Sequence, residues 1–283
     1  MRKFNRLMPW GRTSPTEPIG VIAGQGDFPI LFAKAASSLK RSVFVFGVEG
    51  VTDKRVENFA LETHYVGLGE LGKLVDLLKA KKIRRVAFAG GIPKKRLYDP
   101  SLKLDISAQS FIHQTSNKGD DHILRALEMY LKLKCGACVI DSRTFLKDAL
   151  APKGLMTKRR LTDREQKDLK FGAQVARHIG KMDIGQTVVV KDGIVLAVEA
   201  LEGTDQAIRR GGELGNGGVV VVKTSKPNQD LRFDLPCVGP ETLQSLKAAS
   251  ARVFGVEAGK TIMISKEKLI EAANGAHISL VGI

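Results

Sequence analysis

From Pro18 onward the chain alternates short apolar runs with amphipathic stretches, and this alternation predicts strands joined by helical crossovers. Ile19 to Ala23, Val43 to Val48 and Val86 to Ala89 read as strands. Between them Phe28 to Lys40 and Leu68 to Lys81 read as helices, the second closing on the basic run Lys81-Lys-Ile-Arg-Arg85, whose cations complement the carbonyl end of a helix. Asp120 can cap a further helix that runs through Leu131.

The periodicity lapses over Pro152 to Arg160, where charge, Pro and Gly take over, and a domain boundary is expected there. Leu161-Thr162-Asp163 then offers caps for a helix ending near Ile179-Gly180. Thr187 to Val190 and Ile194 to Glu199 are two strands around an Asp192-Gly193 turn, and Gly218 to Val222 is another apolar strand. Pro240 to Phe254 predicts one helix with Leu243, Leu246, Ala249 and Val253 on a single face. The strand Thr261 to Ile264, the helix Lys266 to Ala273 and the strand Ile278 to Val281 complete the chain. The expected architecture is two α/β domains. Residues 19–155 form a Rossmann-like domain with a mainly parallel sheet, and residues 161–283 a smaller mixed-sheet α/β domain that carries the catalytic groups. Residues 1–18 form a basic, Pro-rich extension without the apolar core of a secretory signal. Domain interfaces are favoured ligand sites, so a cleft between the two domains is the expected place for substrate.

Charge narrows the partners. The chain carries a formal net charge of +15, with the excess concentrated in its first half, which suits nucleic acid, an anionic membrane surface or a phosphorylated substrate. Aromatic residues make up only 6% of the chain, and the basic runs Lys79 to Arg85 and Lys94 to Arg96 lack aromatic neighbours that could stack on bases. Nucleic acid is therefore not the expected partner. No apolar run approaches the roughly 20 residues of a membrane span, so lipid contact should be peripheral. Cys135-Gly-Ala-Cys138 runs into apolar sequence with no second Cys or His pair beside it, which argues against structural zinc, and Cys237 reads as a small hydrophobe. Low cysteine usage fits a reducing cytoplasm. Of the five histidines none shares metal-ligand spacing with another, and only His122, beside Asp120-Asp121, adjoins other chemistry.

Two clusters stand out chemically. Lys223-Thr-Ser-Lys226-Pro-Asn-Gln-Asp230-Leu-Arg232-Phe-Asp234-Leu-Pro236 follows a strand and mixes carboxylates, suited to a divalent cation, with cations suited to phosphate oxygens. Upstream, Glu199-Ala-Leu-Glu202-Gly203-Thr204-Asp205 ends a strand where Thr204 or Asp205 can cap the next helix, Gly203 lets a ligand approach the backbone, and Glu202 and Asp205 could bind a metal. Gly24-Gln25-Gly26 after the first strand also admits a dinucleotide reading, with Glu49 near the place of a ribose-binding acid. The third glycine of that fingerprint is missing, since Phe28-Pro29 stands in its place.

Ile19-Gly-Val-Ile-Ala-Gly24-Gln-Gly26-Asp-Phe-Pro29, Phe88-Ala-Gly90-Gly91, Lys118-Gly119-Asp120-Asp121, Asp183-Ile-Gly-Gln, Glu199 to Asp205 and Gln229 to Pro236 occur in that order. In this the chain resembles the LpxI-type UDP-2,3-diacylglucosamine pyrophosphatases of lipid A biosynthesis, from about Ile19 to the C-terminus. The resemblance implies hydrolysis of UDP-2,3-diacylglucosamine to 2,3-diacylglucosamine 1-phosphate and UMP at the β-phosphorus, dependent on a divalent cation such as Mg2+. It implies Asp234 as the essential carboxylate, with an acidic role for Asp230. Asp234, Glu202 and Asp205 are the expected metal ligands. Gly24, Gln25, Gly26, Gly90, Gly91, Lys118, Gly119, Asp120, Asp121, Gly203, Thr204, Lys226 and Arg232 are the expected substrate contacts. A homodimer working at the cytoplasmic face of the inner membrane is the accompanying expectation. An NAD(P)-dependent oxidoreductase and a basic nucleic-acid or membrane-binding adaptor remain the alternatives.

Overall fold

The computed structural model describes residues 17–93, 96, 99, 101–115, 120–227, 230–233 and 235–283, the side chains of residues 120 and 121 excepted. The chain divides into two compact units. The first holds Met1–Leu146 together with Asp230–Asp234, and the second holds Lys147–Gln229 and Leu235–Ile283.

In the first unit β1 (Ile19–Ala23), α1 (Phe28–Ser38), β2 (Val43–Val48), β3 (Glu62–Val66), α2 (Leu71–Ala80), β4 (Arg85–Ala89), α3 (Ile106–Thr115), α4 (Asp120–Cys135) and β5 (Cys138–Val139) follow one another, with a 3-10 turn at Lys54–Phe59. The strands line up as β3-β2-β1-β4-β5, and every pairing is parallel. β1 lies between two neighbours and is almost wholly buried, which is why its sequence shows no polar alternation. One face of the sheet packs Phe44, Phe46, Val86 and Phe88 against Leu74, Leu78 and Leu131 of α2 and α4. Phe233, from far along the chain, belongs to the same core.

The second unit runs β6 (Gly154–Leu155), α5 (Asp163–Lys181), β7 (Thr187–Lys191), β8 (Ile194–Val198), α6 (Thr204–Gly215), β9 (Val220–Lys223), β10 (Cys237–Val238), α7 (Pro240–Ala248), β11 (Val253–Val256), β12 (Ile262–Met263), α8 (Lys266–Gly275) and β13 (Ser279–Gly282). Its main sheet, in the order β6-β13-β11-β9-β7-β8, is parallel at β9, β11 and β13 and antiparallel at β6, β7 and β8. β10 and β12 pair separately. Residues on one face of this sheet join a core with α6, α7 and α8, whereas Val220, Val222, Val188 and Val190 on the other face meet α5. Thr162 and Glu165 close a reciprocal cap at the start of α5. The buried carboxylate of Asp168, also on α5, accepts the backbone N–H groups of Asp192 and Gly193 at 2.8 Å each, so the helix grips the β7-β8 turn.

Three expectations need correction. The helix placed over Pro240 to Phe254 ends at Ala248, because Ser250 adopts a left-handed φ of 45° and the chain re-enters the sheet as β11. Leu243, Leu246, Ala249 and Val253 imitate a helical stripe only because a strand begins at the next spacing. The division of the chain falls at Leu146 rather than within Pro152 to Arg160, and β6 beyond it pairs with β13. Lastly, the segment Asp230–Asp234 joins the first unit, although it was expected in the second.

Candidate active site

In the first unit the strand order reverses between β1 and β4, and open parallel sheets receive ligands beyond the carboxyl ends of strands at such a point. The two glycine motifs leave those strand ends and meet. Gly24 N–H donates to Ala89 O and Gln25 N–H to Gly91 O, both at 2.8 Å. A Cβ on Gly24 would stand 2.3 Å from Gly91 O, and one on Gly90 would stand 2.4 Å from Gln25 O. Backbone packed on backbone therefore requires both glycines. Gly26 and Gly91 differ, since a Cβ on either would meet nothing within 4 Å. Phe28 and Pro29 open α1 directly after this turn, and Pro29 packs near Gly90.

The segment 230–233 lies at the same end of the sheet. The Phe233 ring sits 5.9 Å from that of Phe88 in β4. Arg232 forks onto Glu128 of α4, at 2.7 and 3.1 Å, and also holds both carboxylate oxygens of Asp230. Arg125 adds a contact to Asp230 at 3.6 Å. Burial alone would raise the Asp230 pKa, but the hydrogen bonds and charge of Arg232, with Arg125, hold it below the usual carboxylate range. Asp230 foremost, and Glu128 with it, raise the Arg232 pKa further. Arg232 thus ties its loop to α4. A cavity of about 310 Å³ opens past the ends of β2 and β3, with Glu49, Glu70 and Arg96 among its walls.

The second unit assembles its motifs at the carboxyl end of β9, where Lys223 pairs with Thr187 of β7. Lys223 is buried, and its Nζ donates to Thr204 Oγ1 at 3.0 Å and to Cys237 O at 3.3 Å. Thr204 Oγ1 in turn donates to Glu199 Oε1 at 2.9 Å. Glu199, also buried, accepts Gln186 N–H at 3.4 Å. Gly185 lies so close that a Cβ there would stand 2.0 Å from Glu199 O. Asp183-Ile-Gly-Gln186, Glu199 to Asp205 and the start of the Lys223 cluster are therefore one structural group. Gly203, with φ of 84°, is the residue that caps α6, and Thr204 spends its hydroxyl on Glu199 and Lys223 instead of the expected cap. Among the described residues, Asp205 Oδ1, Gln186 Oε1 and Thr224 Oγ1 of this group are buried without hydrogen-bond partners, an unusual concentration of unspent bonding capacity.

The expected metal centre does not fit these residues. Glu202 gives one oxygen to Arg210 at 2.7 Å and the other to Ala200 N–H, and Arg210 lowers its pKa. Asp230 is held by Arg232 and Arg125. Among the described residues no three His, Cys, Asp or Glu side chains come together as a metal site. The reading of a metal-dependent hydrolysis through these carboxylates is corrected accordingly, because Arg210 already neutralises Glu202, one of the three expected ligands, and the described carboxylates do not gather around one point.

The two units also match separate family models. Residues 18–149 match the LpxI N-terminal domain and residues 152–281 the LpxI C-terminal domain. The chain belongs to the LpxI family. Over 279 residues it is 30% identical to the UDP-2,3-diacylglucosamine pyrophosphatase LpxI of Caulobacter vibrioides, covering 94% of this chain and 97% of that one. Likeness to solved structures is weak. The biotin carboxylase domain of the Hydrogenobacter thermophilus 2-oxoglutarate carboxylase aligns with a TM-score of 0.28 at 12% identity, over 83% of this chain and 40% of that one. N5-carboxyaminoimidazole ribonucleotide synthetase from Thermotoga maritima aligns with a TM-score of 0.24 at 14% identity, over 66% of this chain and 42% of that one. The chain spans less than half the length of these two solved chains, and no property is carried over from them.

Set against LpxI membership, the expected substrate contacts fall into two groups. Gly24, Gln25, Gly26, Gly90 and Gly91 share the switch point of the first unit, while Gly203 and Thr204 share the polar group of the second. Lys226 pairs with Asp183 at 2.5 Å. Asp120 and Asp121 open α4, their side chains outside the described set, and Lys118, Gly119 and Asp234 lie outside the described residues altogether. Sequence reasoning missed Glu128, Glu199 and Lys223 as site groups. Glu128 meets Arg232 across 104 positions, and no local pattern encodes such a pair. Glu199 and Lys223 stood inside the quoted motifs, and their place at strand ends was the usable signal.

Proposed function

We propose that this chain hydrolyses the diphosphate of UDP-2,3-diacylglucosamine to 2,3-diacylglucosamine 1-phosphate and UMP. The observation that carries this reading is the 30% identity to the Caulobacter pyrophosphatase across nearly the full length of both chains. Water adds to one phosphorus, the bridging P–O bond breaks, and the water's proton is taken up. Asp234 is the proposed group that orients the water and accepts that proton. Arg232, braced by Glu128 and Asp230, is a positioning residue that fixes the loop two residues before Asp234.

The exposed backbone turn at Gly26 and Gly91 and the first amides of α6, beginning at Thr204, are the proposed phosphate contacts, since N–H groups at a helix start favour anions. The unpartnered oxygens of Asp205, Gln186 and Thr224 support recognition of a polar ligand in the second unit. Among the described residues no helix is long and apolar enough to cross a membrane, so the acylated substrate is proposed to be met at the cytoplasmic face of the inner membrane by peripheral contact.

The test is release of UMP from UDP-2,3-diacylglucosamine by the full chain and by Asp234→Ala, with substrate binding measured alongside. Turnover should fall by at least a thousandfold, as loss of a water-activating carboxylate implies, while binding changes little. An Asp234→Ala rate within twofold of the wild-type rate would remove Asp234 from the chemistry. No UMP release from the wild-type chain would remove the substrate.

A further inference from the structure

The second unit covers the two faces of its main sheet unequally. Among the described residues three helices pack on one face, and α5 alone serves the other, lying over β7, β9 and β11. Strands in a parallel region are normally covered on both sides. Here Val281 and Ile283, at the β13 end, stay only partly buried beside α5. The result is a groove of about 830 Å³, floored by Leu161, Leu169, Ala173, Val281 and Ile283. Leu155 of β6 stands at its edge, 42% exposed.

Its rim is cationic. Arg160, Lys170 and Arg177 line it, and among the described residues none of the three has an ion-pair partner. Two of the three acids of α5 are occupied elsewhere, Glu165 by Arg159 and Asp168 by the backbone of the β7-β8 turn. An apolar floor under unpaired cations matches one kind of partner, an apolar chain that ends in an anion. A second copy fits poorly, because a twofold contact through this groove would set the same cations against each other.

We propose that this groove docks the second unit on an anionic phospholipid bilayer, taking part of one acyl chain onto its floor and the headgroup phosphate onto Arg160, Lys170 and Arg177. Long cationic side chains suit that arrangement, since their stems lie along the apolar surface while their heads reach the phosphate. Anionic membrane surfaces attract such clusters electrostatically, and salt weakens the attraction. The inference uses none of the groups assigned to hydrolysis.

The experiment is sedimentation of the full chain with vesicles of phosphatidylcholine alone or mixed with phosphatidylglycerol. Binding to the phosphatidylglycerol vesicles should be at least tenfold tighter and should weaken in high salt. Lys170→Glu combined with Arg177→Glu should lose at least tenfold of that binding, yet keep its turnover on substrate dispersed in neutral detergent, which separates this outcome from failure of the hydrolase reading. Both residues are exposed, so the fold should tolerate the change. To place the chain in the groove, Gln174→Trp in a Trp10→Phe background should shift its emission to the blue on phosphatidylglycerol vesicles only. Equal binding to both vesicle types would overturn the proposal, as would undiminished binding by the double variant. It would also be overturned by uptake of monomeric dodecyl phosphate without vesicle binding, or by self-association that buries the Gln174→Trp reporter without lipid.

Discussion

The turn region of the first unit and the polar group of the second are built from opposite materials. At Gly24 and Gly90 two backbone segments touch and are joined by backbone hydrogen bonds. At Thr204 the reverse holds, since Lys223, Thr204 and Glu199 are linked by side-chain hydrogen bonds at the foot of a helix, and Gln186 N–H closes on the Glu199 carboxylate. Backbone contacts tolerate no added atom but are indifferent to charge. A buried polar network tolerates small changes of shape but not the loss of one partner.

The sharpest way to break this contrast is to add a methyl group where there is no room. Gly24→Ala and Gly90→Ala each force a Cβ to within 2.4 Å of a carbonyl oxygen, and neither neighbour is the end of a flexible side chain. Gly90 also sits at φ of 78°, which an L residue rarely adopts. Each should cost about 3 kcal/mol or more, read as a lowered urea midpoint, since such overpacking shifts backbone. A loss under about 1 kcal/mol would show that the two turns part readily, contrary to a backbone-locked site.

Next in size is Thr204→Val, which keeps shape and removes the hydroxyl shared by Lys223 and Glu199. Two buried partners are then left short, and about 2 kcal/mol of stability should go. Thr204→Ser should restore most of it. A Val variant as stable as the wild type would mean that water replaces the hydroxyl and that the network is open rather than sealed.

The same contrast explains what could be read from the chain beforehand. Strands such as Val43–Val48 and Val220–Lys223 announced themselves because burial on both faces leaves a continuous apolar run. β3 did not. Glu62–Val66 is an edge strand with polar residues on both sides and only Val66 buried, so it carries no periodic signal. Glycines at strand ends were legible as places where backbone must come close, but whether the close partner was a ligand or another turn was not. The carboxylates misled for a related reason. Glu202 and Asp230 look like metal donors in a string of letters, and only folding reveals that Arg210 and Arg232 neutralise them.

Those two carboxylates supply a milder test, because one is exposed and the other enclosed. Asp230 keeps a pKa below its unfolded value, near the ordinary ~3.9, despite burial. A carboxyl depressed in this way adds stability that is fully present above the unfolded pKa and is lost as pH falls through the folded one. Wild-type stability should therefore drop as the pH goes below about 4, and Asp230→Asn should flatten that slope. Glu202 is also depressed, by Arg210, but its pair is open to solvent and screened. Glu202→Gln should leave the acid slope nearly unchanged. An acid slope altered by Glu202→Gln and not by Asp230→Asn would reverse the assignment of which ion pair holds structure.

The smallest effect on stability belongs to Gly26, two residues from Gly24 and different in kind. A Cβ there meets nothing, so Gly26→Ala pays only for the left-handed φ of 88°, about 1 kcal/mol. If that open space is where phosphate oxygens approach the turn, the added methyl group should still cost turnover well beyond what so small a loss of stability explains, with KM rising more than kcat falls. Equal turnover in Gly26→Ala and wild type would move the substrate away from the switch point of the first unit and leave the network around Thr204 as the better-supported phosphate contact.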